Sequence, residues 1–342
     1  MAQITFKPKQ VTKKILSGLQ ERAYDVIHNR FGLGEDAIPK TLESIGQTYG
    51  ITRERVRQIE NAALNSIRKS DAFKSEEAVF SELKELMNAH GKVVNEEVFL
   101  NAIAKDKLSQ NHIHLYMVLH DAFTKHKEDD EFTTRWSVDD KTTEKVHTSL
   151  KELYKSLSDD ELIAEADIVN KFILAMKTLN EEYANEEFAK RWLTISKKIG
   201  KNPMGEWGST DSSNVKTRGI KDYAYLVMRK HGSPMHFKEV ASAISTTFGK
   251  KTHIATCHNE LIKDARFVLV GRGVYALKEW GYKPGVVRDV IKELIKKNGP
   301  MSKEDIIDAV MKERYLKKNT ILVNLQNPKY FKKNKSGQYV VA

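Results

Sequence analysis

The stretch Thr41–Arg68 constrains the fold of this chain more than any other. Leu42, Ile45, Gly46 and Tyr49 recur at the i, i+3, i+4, i+7 spacing of a buried helical stripe, and Gly50 supplies the left-handed backbone that ends a helix. Thr52 is a good N-cap for a second helix, and Glu54 inside it suits the positive end of the helix dipole. At about 100° per residue, Val56, Ile59, Ala63 and Ile67 share the core side of that helix. Glu54, Arg57, Gln58 and Asn61 face the opposite way, flanked by Arg53 and Arg55. Two short helices joined by a tight turn make a helix-turn-helix. Its second helix carries side chains suited to base edges: Arg to guanine, Gln to adenine, Glu to the cytosine amino group.

Ile51-Thr-Arg-Glu-Arg-Val-Arg-Gln-Ile-Glu60 resembles, position by position, the recognition helix of region four of the bacterial primary sigma factors, which reads the promoter −35 element. Leu19–Leu33, closing on Arg-Phe-Gly-Leu, resembles the helix that precedes it. The resemblance implies DNA contacts from Arg53, Glu54, Arg55, Arg57 and Gln58, with Lys40, Thr41, Thr52 and Asn61 beside them. The aromatic-rich helical region with which sigma factors melt the −10 element has no counterpart in the sequence. The resemblance therefore implies DNA reading, not full sigma activity, and a bacterial or phage source.

The charge is unevenly spread along 342 residues. Residues 1–70 carry +5, 71–140 carry −7, 141–210 carry −1, 211–282 carry +6 and 283–342 carry +8, for a net +11. Basic ends attract phosphate backbone and an acidic middle is repelled by it. The ends are the expected nucleic-acid contacts, and the middle is expected to space them or meet protein. No run of about 18 apolar residues is present and Met1–Lys14 is no secretory signal, so a cytoplasmic, nucleoid-associated protein with no membrane partner is expected.

After the helix-turn-helix the sequence repeats with a period of roughly 60–75 residues. His231-Gly-Ser-Pro-Met-His-Phe-Lys-Glu-Val240 parallels Asn298-Gly-Pro-Met-Ser-Lys-Glu-Asp-Ile306. Each run follows an amphipathic helix, Ile220–Lys230 or Val286–Lys297, and each copy closes on a hairpin, Phe267–Leu277 or Tyr330–Val341. Three helices and a hairpin make a winged helix. Gly205-Glu-Trp-Gly208, Arg218–Met228 and the Pro-Met-His-Phe-Lys-Glu run resemble the HARE-type helix-turn-helix, a module also found in the delta subunit of some bacterial RNA polymerases.

The middle offers helices near Ala78–His90, Asn95–Ala104, Asn111–Phe123, Thr143–Leu157, Glu161–Leu179 and Glu186–Leu193, with Trp136, Trp207 and Trp280 ending hairpins at similar intervals. This reads as two degenerate winged helices, with a simple helical linker as the alternative. The expected fold is mainly α. A sigma region-4-like helix-turn-helix domain over 1–72 precedes tandem winged helices over 75–138, 141–208, 218–282 and 284–342, with a polar linker over 209–217.

Catalytic chemistry finds no support. His112 and His114 stand two apart and diverge on a helix, and His120, His253 and His258 lack a second ligand pair. One cysteine, Cys257, excludes an internal disulfide and a multi-cysteine zinc site. Gly271-Arg-Gly273 is a turn signal, no phosphate-binding loop or nucleophile motif is present, and Asp159-Asp160 and Glu181-Glu182 read as helix-end or solvated charges. No enzyme, metal, cofactor or small-molecule substrate is expected.

The wings carry Arg272, Lys332, Lys333 and Lys335, suited to phosphates or the minor groove, or else to protecting a sheet edge. The expectation is a sequence-specific transcription regulator on promoter-like duplex DNA, with RNA polymerase core as partner. The alternatives are a polymerase-associated scaffold and a nucleoid- or defence-associated DNA binder.

Overall fold

Two glycine-ended helices open the chain's first compact unit, which runs to Lys201 and takes in Gly205–Asp211; the second holds Asn202–Met204 and Ser212–Ala342. The computed structural model describes residues 3–177, 185–282, 285–315 and 317–342. Its helices are joined by small antiparallel sheets.

In the first unit, α1 (Pro8–Leu16), α2 (Glu21–Phe31), α3 (Leu42–Tyr49) and α4 (Arg53–Lys69) form the helix-turn-helix, with the short α5 (Asp71–Lys74) behind it. Thr41 Oγ1 accepts from Ser44 N at 3.1 Å and Thr52 Oγ1 from Arg55 N at 3.2 Å, so both N-caps form as the sequence expects. Gly50 ends α3 at φ +63°, a conformation that costs glycine little and other residues more.

The order helix, strand, helix, helix, strand, strand then begins. It comprises α6 (Glu77–Ala89), β1 (Val93–Asn95), α7 (Glu96–Ile103), α8 (Lys107–Leu119), β2 (Thr124–His126) and β3 (Arg135–Ser137), in a sheet ordered β1-β3-β2. It recurs as α9 (Asp140–Ser156), α10 (Glu165–Lys177), α11 (Glu186–Leu193), β4 (Ile199–Lys201) and β5 (Trp207–Ser209), with the Ile163–Trp207 bridge in place of the first strand. Hairpins of this kind separate the middle of the chain from a helical linker. The end of the expected helix 161–179 and the pair Glu181-Glu182 lie outside the described residues, whereas Asp159 and Asp160 are exposed.

Helix α8 starts four residues before the expected Asn111 and ends before Phe123. Asp106 caps it by accepting from Ser109 N at 2.8 Å, a signal the apolar periodicity hides. It is buried on most sides, polar residues included: Gln110, Asn111 and His112 are all inside. Ile113, Tyr116 and Met117 share one apolar core with Val11, Ile15, Leu16, Ile27, Phe31, Leu64 and Ile67 of the helix-turn-helix. The region 1–72 is therefore not a separate body; its inner face is completed by α8.

The next third helix also turns inward. Trp192 of α11 donates from Nε1 to Gly91 O at 3.1 Å, and Arg191 donates to Ala89 O at 3.0 Å.

In the second unit the same order appears in α12 (Ile220–His231), β6 (Met235–His236), α13 (Phe237–Phe248), α14 (Ile254–Lys263), β7 (Phe267–Gly271) and β8 (Val274–Leu277), with sheet order β6-β8-β7. It closes with α15 (Val287–Asn298), α16 (Lys303–Glu313), α17 (Lys318–Leu325), β9 (Phe331–Lys333) and β10 (Tyr339–Val341), where Met301 bridges Tyr339. Tyr315 N donates to Val270 O at 2.9 Å, and Gly271 forms a parallel bridge with Tyr315. A Cβ on Gly271 would lie 2.6 Å from Tyr315 O, so only glycine admits this approach.

Two expectations need correction. The polar stretch 209–217 is not a solvated tether: Ser209 closes β5, and Ser212, Asn214 and Val215 are buried. Within the second unit, Arg266 holds Ser213 Oγ at 3.1 Å and Asn214 Oδ1 at 3.2 Å, which consumes the polarity that suggests a linker. The Gly205–Gly208 run, read with the HARE-type module, belongs instead to the preceding hairpin, because Trp207 and Gly208 lie in β5 opposite β4.

Candidate nucleic-acid interface

The recognition helix is positioned from both of its sides. Val56, Ala63, Leu64 and Ile67 are buried. Val56 joins Val26, Ile45, Leu42, Tyr49, Ile51 and Ile59 in a small core of the three-helix unit. At the C-terminal end of α4, Arg68 donates to Leu119 O and Val118 O, each at 2.8 Å, and so caps α8. The sequence reading left Leu64 and Arg68 unassigned. Leu64 sits one position beyond the expected stripe, and Arg68's partners lie 50 and 51 residues away.

Every proposed contact in this segment is solvent-exposed: Lys40, Thr41, Thr52, Arg53, Glu54, Arg55, Arg57, Gln58 and Asn61. The polar face is internally paired. Arg57 grips Glu54 with both prongs, Nε to Oε2 at 2.9 Å and Nη2 to Oε1 at 2.6 Å. The Arg57 hydrogen bonds hold the Glu54 carboxyl below its ordinary value, and the same pairing raises Arg57. Arg55 Nη1 donates to Gln58 Oε1 at 3.0 Å. These groups, arranged within one turn, are matched donors and acceptors that a base edge or phosphate can take over. Lys40 stands where the chain enters α3; its carbonyl accepts from Arg30 Nη1 at 3.1 Å, and Arg30 Nε lies 3.4 Å from Glu60.

The wing residues are placed less uniformly. Arg272 is exposed at the turn between β7 and β8. Lys332 and Lys333 are exposed on β9, with Lys335 exposed in the turn beyond it. Lys332 registers against Val340 and Lys333 against Tyr339, so these neighbours project to opposite faces of the hairpin. Lys333 Nζ lies 5.2 Å from the Tyr339 ring. The three lysines do not form one cluster.

The histidines are occupied individually. His112 Nδ1 lies 2.8 Å from Thr12 Oγ1, whereas His114 lies 3.6 Å from Glu96, so the two diverge as their spacing requires. His120 faces Phe80 and Glu77, and His258 stacks on Phe237. Among the described residues no three His, Cys, Asp or Glu side chains converge on a metal-sized site. Cys257 is buried, and burial pushes its thiol up to about 11. No helix among the described residues is long and apolar enough to cross a membrane.

Comparison with known proteins agrees with this geometry. Residues 15–69 match the family "Sigma-70, region 4", and residues 218–280 match the HARE-HTH family, the helix-turn-helix domain named for ASXL and restriction endonuclease proteins. The chain is 50% identical over 56 residues to the RNA polymerase sigma factor SigA of Nostoc sp., covering 16% of this chain and 14% of that protein. It is 47% identical over 60 residues to the RNA polymerase sigma factor RpoD of Helicobacter pylori, covering 18% of this chain and 9% of that protein. The chain thus spans only a small part of the sigma factors it matches. It carries two DNA-binding helix-turn-helix domains, a sigma-70 region 4 domain at residues 15–69 and a HARE-type domain at residues 218–280.

Proposed function

We propose that this protein is a sequence-specific DNA-binding transcription protein that reads a −35-like element through α4. The observation that carries the reading is the segregation of that helix. Six polar side chains, from Arg53 to Asn61, are exposed on it, while its apolar side is sealed by α2, α3 and α8. In this reading Arg53, Arg57 and Gln58 read bases. Arg55, Lys40 and Thr41 hold phosphates, Thr52 fixes the first turn, and Glu54 and Asn61 complete the face. Arg272, Lys332, Lys333 and Lys335 add wing contacts.

RNA polymerase core is the proposed protein partner, and one observation favours a scaffold role for the HARE-type module. Its third helix, α14, presents Ile254 and Ile262 to solvent, and Leu269 of β7 is also exposed. Such a face suits protein better than phosphate.

The test is fluorescence anisotropy on a −35-like duplex and a scrambled duplex, across a salt series, for wild type and Arg57→Ala/Gln58→Ala. Loss of preference in the variant with a nearly unchanged salt slope supports base reading. Equal binding of both duplexes by wild type, steeply salt-dependent, rejects it for this site.

A further inference from the structure

The last module gathers its cations around one aromatic ring. Arg288 Cζ lies 4.4 Å from the centroid of the Tyr330 ring, Lys292 Nζ 4.8 Å and Lys329 Nζ 6.0 Å. Arg288 and Lys292 stand one turn apart on α15, and Lys296 continues the row a further turn along, giving a basic edge about 12 Å long. Lys329 and Tyr330 come from the segment leading into β9, so two separate elements converge here.

Arg288 Nε also lies 3.5 Å from the carboxylate of its neighbour Asp289. The module's acidic side chains Glu304, Asp305 and Asp308 lie on α16 instead. Three like charges drawn to one ring repel one another. The ring's π-face offsets part of that repulsion, and an incoming polyanion offsets more of it.

We propose that this face docks on the phosphate backbone of duplex DNA without regard to sequence. Arg288, Lys292 and Lys329 are the contacting cations, and Tyr330 is the post that keeps them together. The contact comes from the first helix and the base of the hairpin. It is separate from the wing tip and from the third helix α17, whose exposed Val323 offers nothing to phosphate. It adds a sequence-independent contact to the base reading proposed for α4 and does not depend on it.

The experiment uses the full chain and two duplexes of about 40 base pairs, −35-like and scrambled, long enough to span several phosphate contacts. Arg288→Gln/Lys292→Gln/Lys329→Gln is compared with wild type, with Lys303→Gln/Lys312→Gln on exposed α16 positions as control. A third variant, Lys292→Arg/Lys329→Arg, retains the charge. Each phosphate contact contributes about 0.9 to the slope of log affinity against log salt. The triple variant is therefore expected to lose about 2–3 from that slope and on the order of tenfold to a hundredfold in affinity for both duplexes at about 0.15 M salt. The arginine variant is expected to keep wild-type values and the control to change little.

An unchanged slope in the triple variant, or an equal loss in the control, overturns the proposal. So does triple-variant loss confined to anionic phospholipid vesicles, which would make this face a membrane contact. Preference for the −35-like duplex is read from the same titrations. Its absence sinks the base-reading proposal alone, and its persistence beside an unchanged slope sinks this one alone.

Discussion

Arg57 holds Glu54 in a two-pronged ion pair on the open face of α4, with both bonds between 2.6 and 2.9 Å. Any base that Arg57 reads must replace that carboxylate. Glu54 thus acts as a competitor that weak sites fail to displace. Glu54→Gln is expected to raise affinity for scrambled duplex several-fold and to narrow the gap to the −35-like duplex. The unfolding midpoint is expected to stay put, because the pair is fully exposed. Anisotropy on the two duplexes checks the first effect, and a thermal melt the second.

Asn111 of α8 donates from Nδ2 to Gly32 O and to Ala37 O, each at 2.9 Å, pinning the loop that leads to Lys40 and Thr41. Asn111→Ala would strand both carbonyls. A loss of about 2–4 kcal/mol is expected from urea unfolding, together with weaker binding of both duplexes. Unaltered stability would show that water replaces the amide.

A fragment ending at residue 72 is expected not to fold by itself. Without α8 it exposes Val11, Ile15, Leu16, Phe31, Leu64 and Ile67, which are buried in the intact unit. Circular dichroism of the 1–72 fragment against one ending at residue 138 tests this. A cooperative melt from the shorter piece would contradict the shared core.

Acid is expected to destabilise the first unit. Burial holds His112 down at about 4; burial and the neighbouring Arg135 hold His147 at about 4. His147 Nε2 accepts from Arg135 Nε at 2.6 Å, which requires a neutral ring. Unfolded histidine titrates near 6.5, so above that pH neither state binds the proton and stability is complete. As pH falls from about 6.5 towards 4, the unfolded chain takes up protons that the folded chain refuses. Each such proton lowers stability by at most about 1.4 kcal/mol per pH unit, and by less at half-buried His147. Urea midpoints between pH 7 and pH 4.5 should decline, and His112→Gln should flatten the decline.

The sequence is most legible where local rules and tertiary packing agree. Thr41, Gly50 and Thr52 mark the ends of α3 and α4, and both helices form with those caps. The hairpins 267–277 and 330–341 announce themselves through β-rich arms around a glycine turn. Legibility fails where side chains are satisfied at long range. Asn111 and His112 look like surface residues of an irregular helix until their partners, Gly32, Ala37 and Thr12, are brought some 75 to 100 residues closer. Ser212 and Asn214 mislead in the same way, since polarity signals a tether only when nothing in the fold consumes it. On the recognition face the residues were readable, but the Arg57–Glu54 and Arg55–Gln58 pairing was not, because i, i+3 spacing permits contact without requiring it.

The contact between Tyr315 and the edge of β7 has one more consequence. A strand at the rim of a small sheet offers unpaired amides and carbonyls to any passing extended peptide, including another copy of itself. Here that row is already engaged at Val270 and Gly271, and Arg314 also holds Leu269 O at 3.3 Å. The second module is thereby closed to strand addition by the chain that follows it, and a protein cut before Arg314 would be left with a rim able to template self-association.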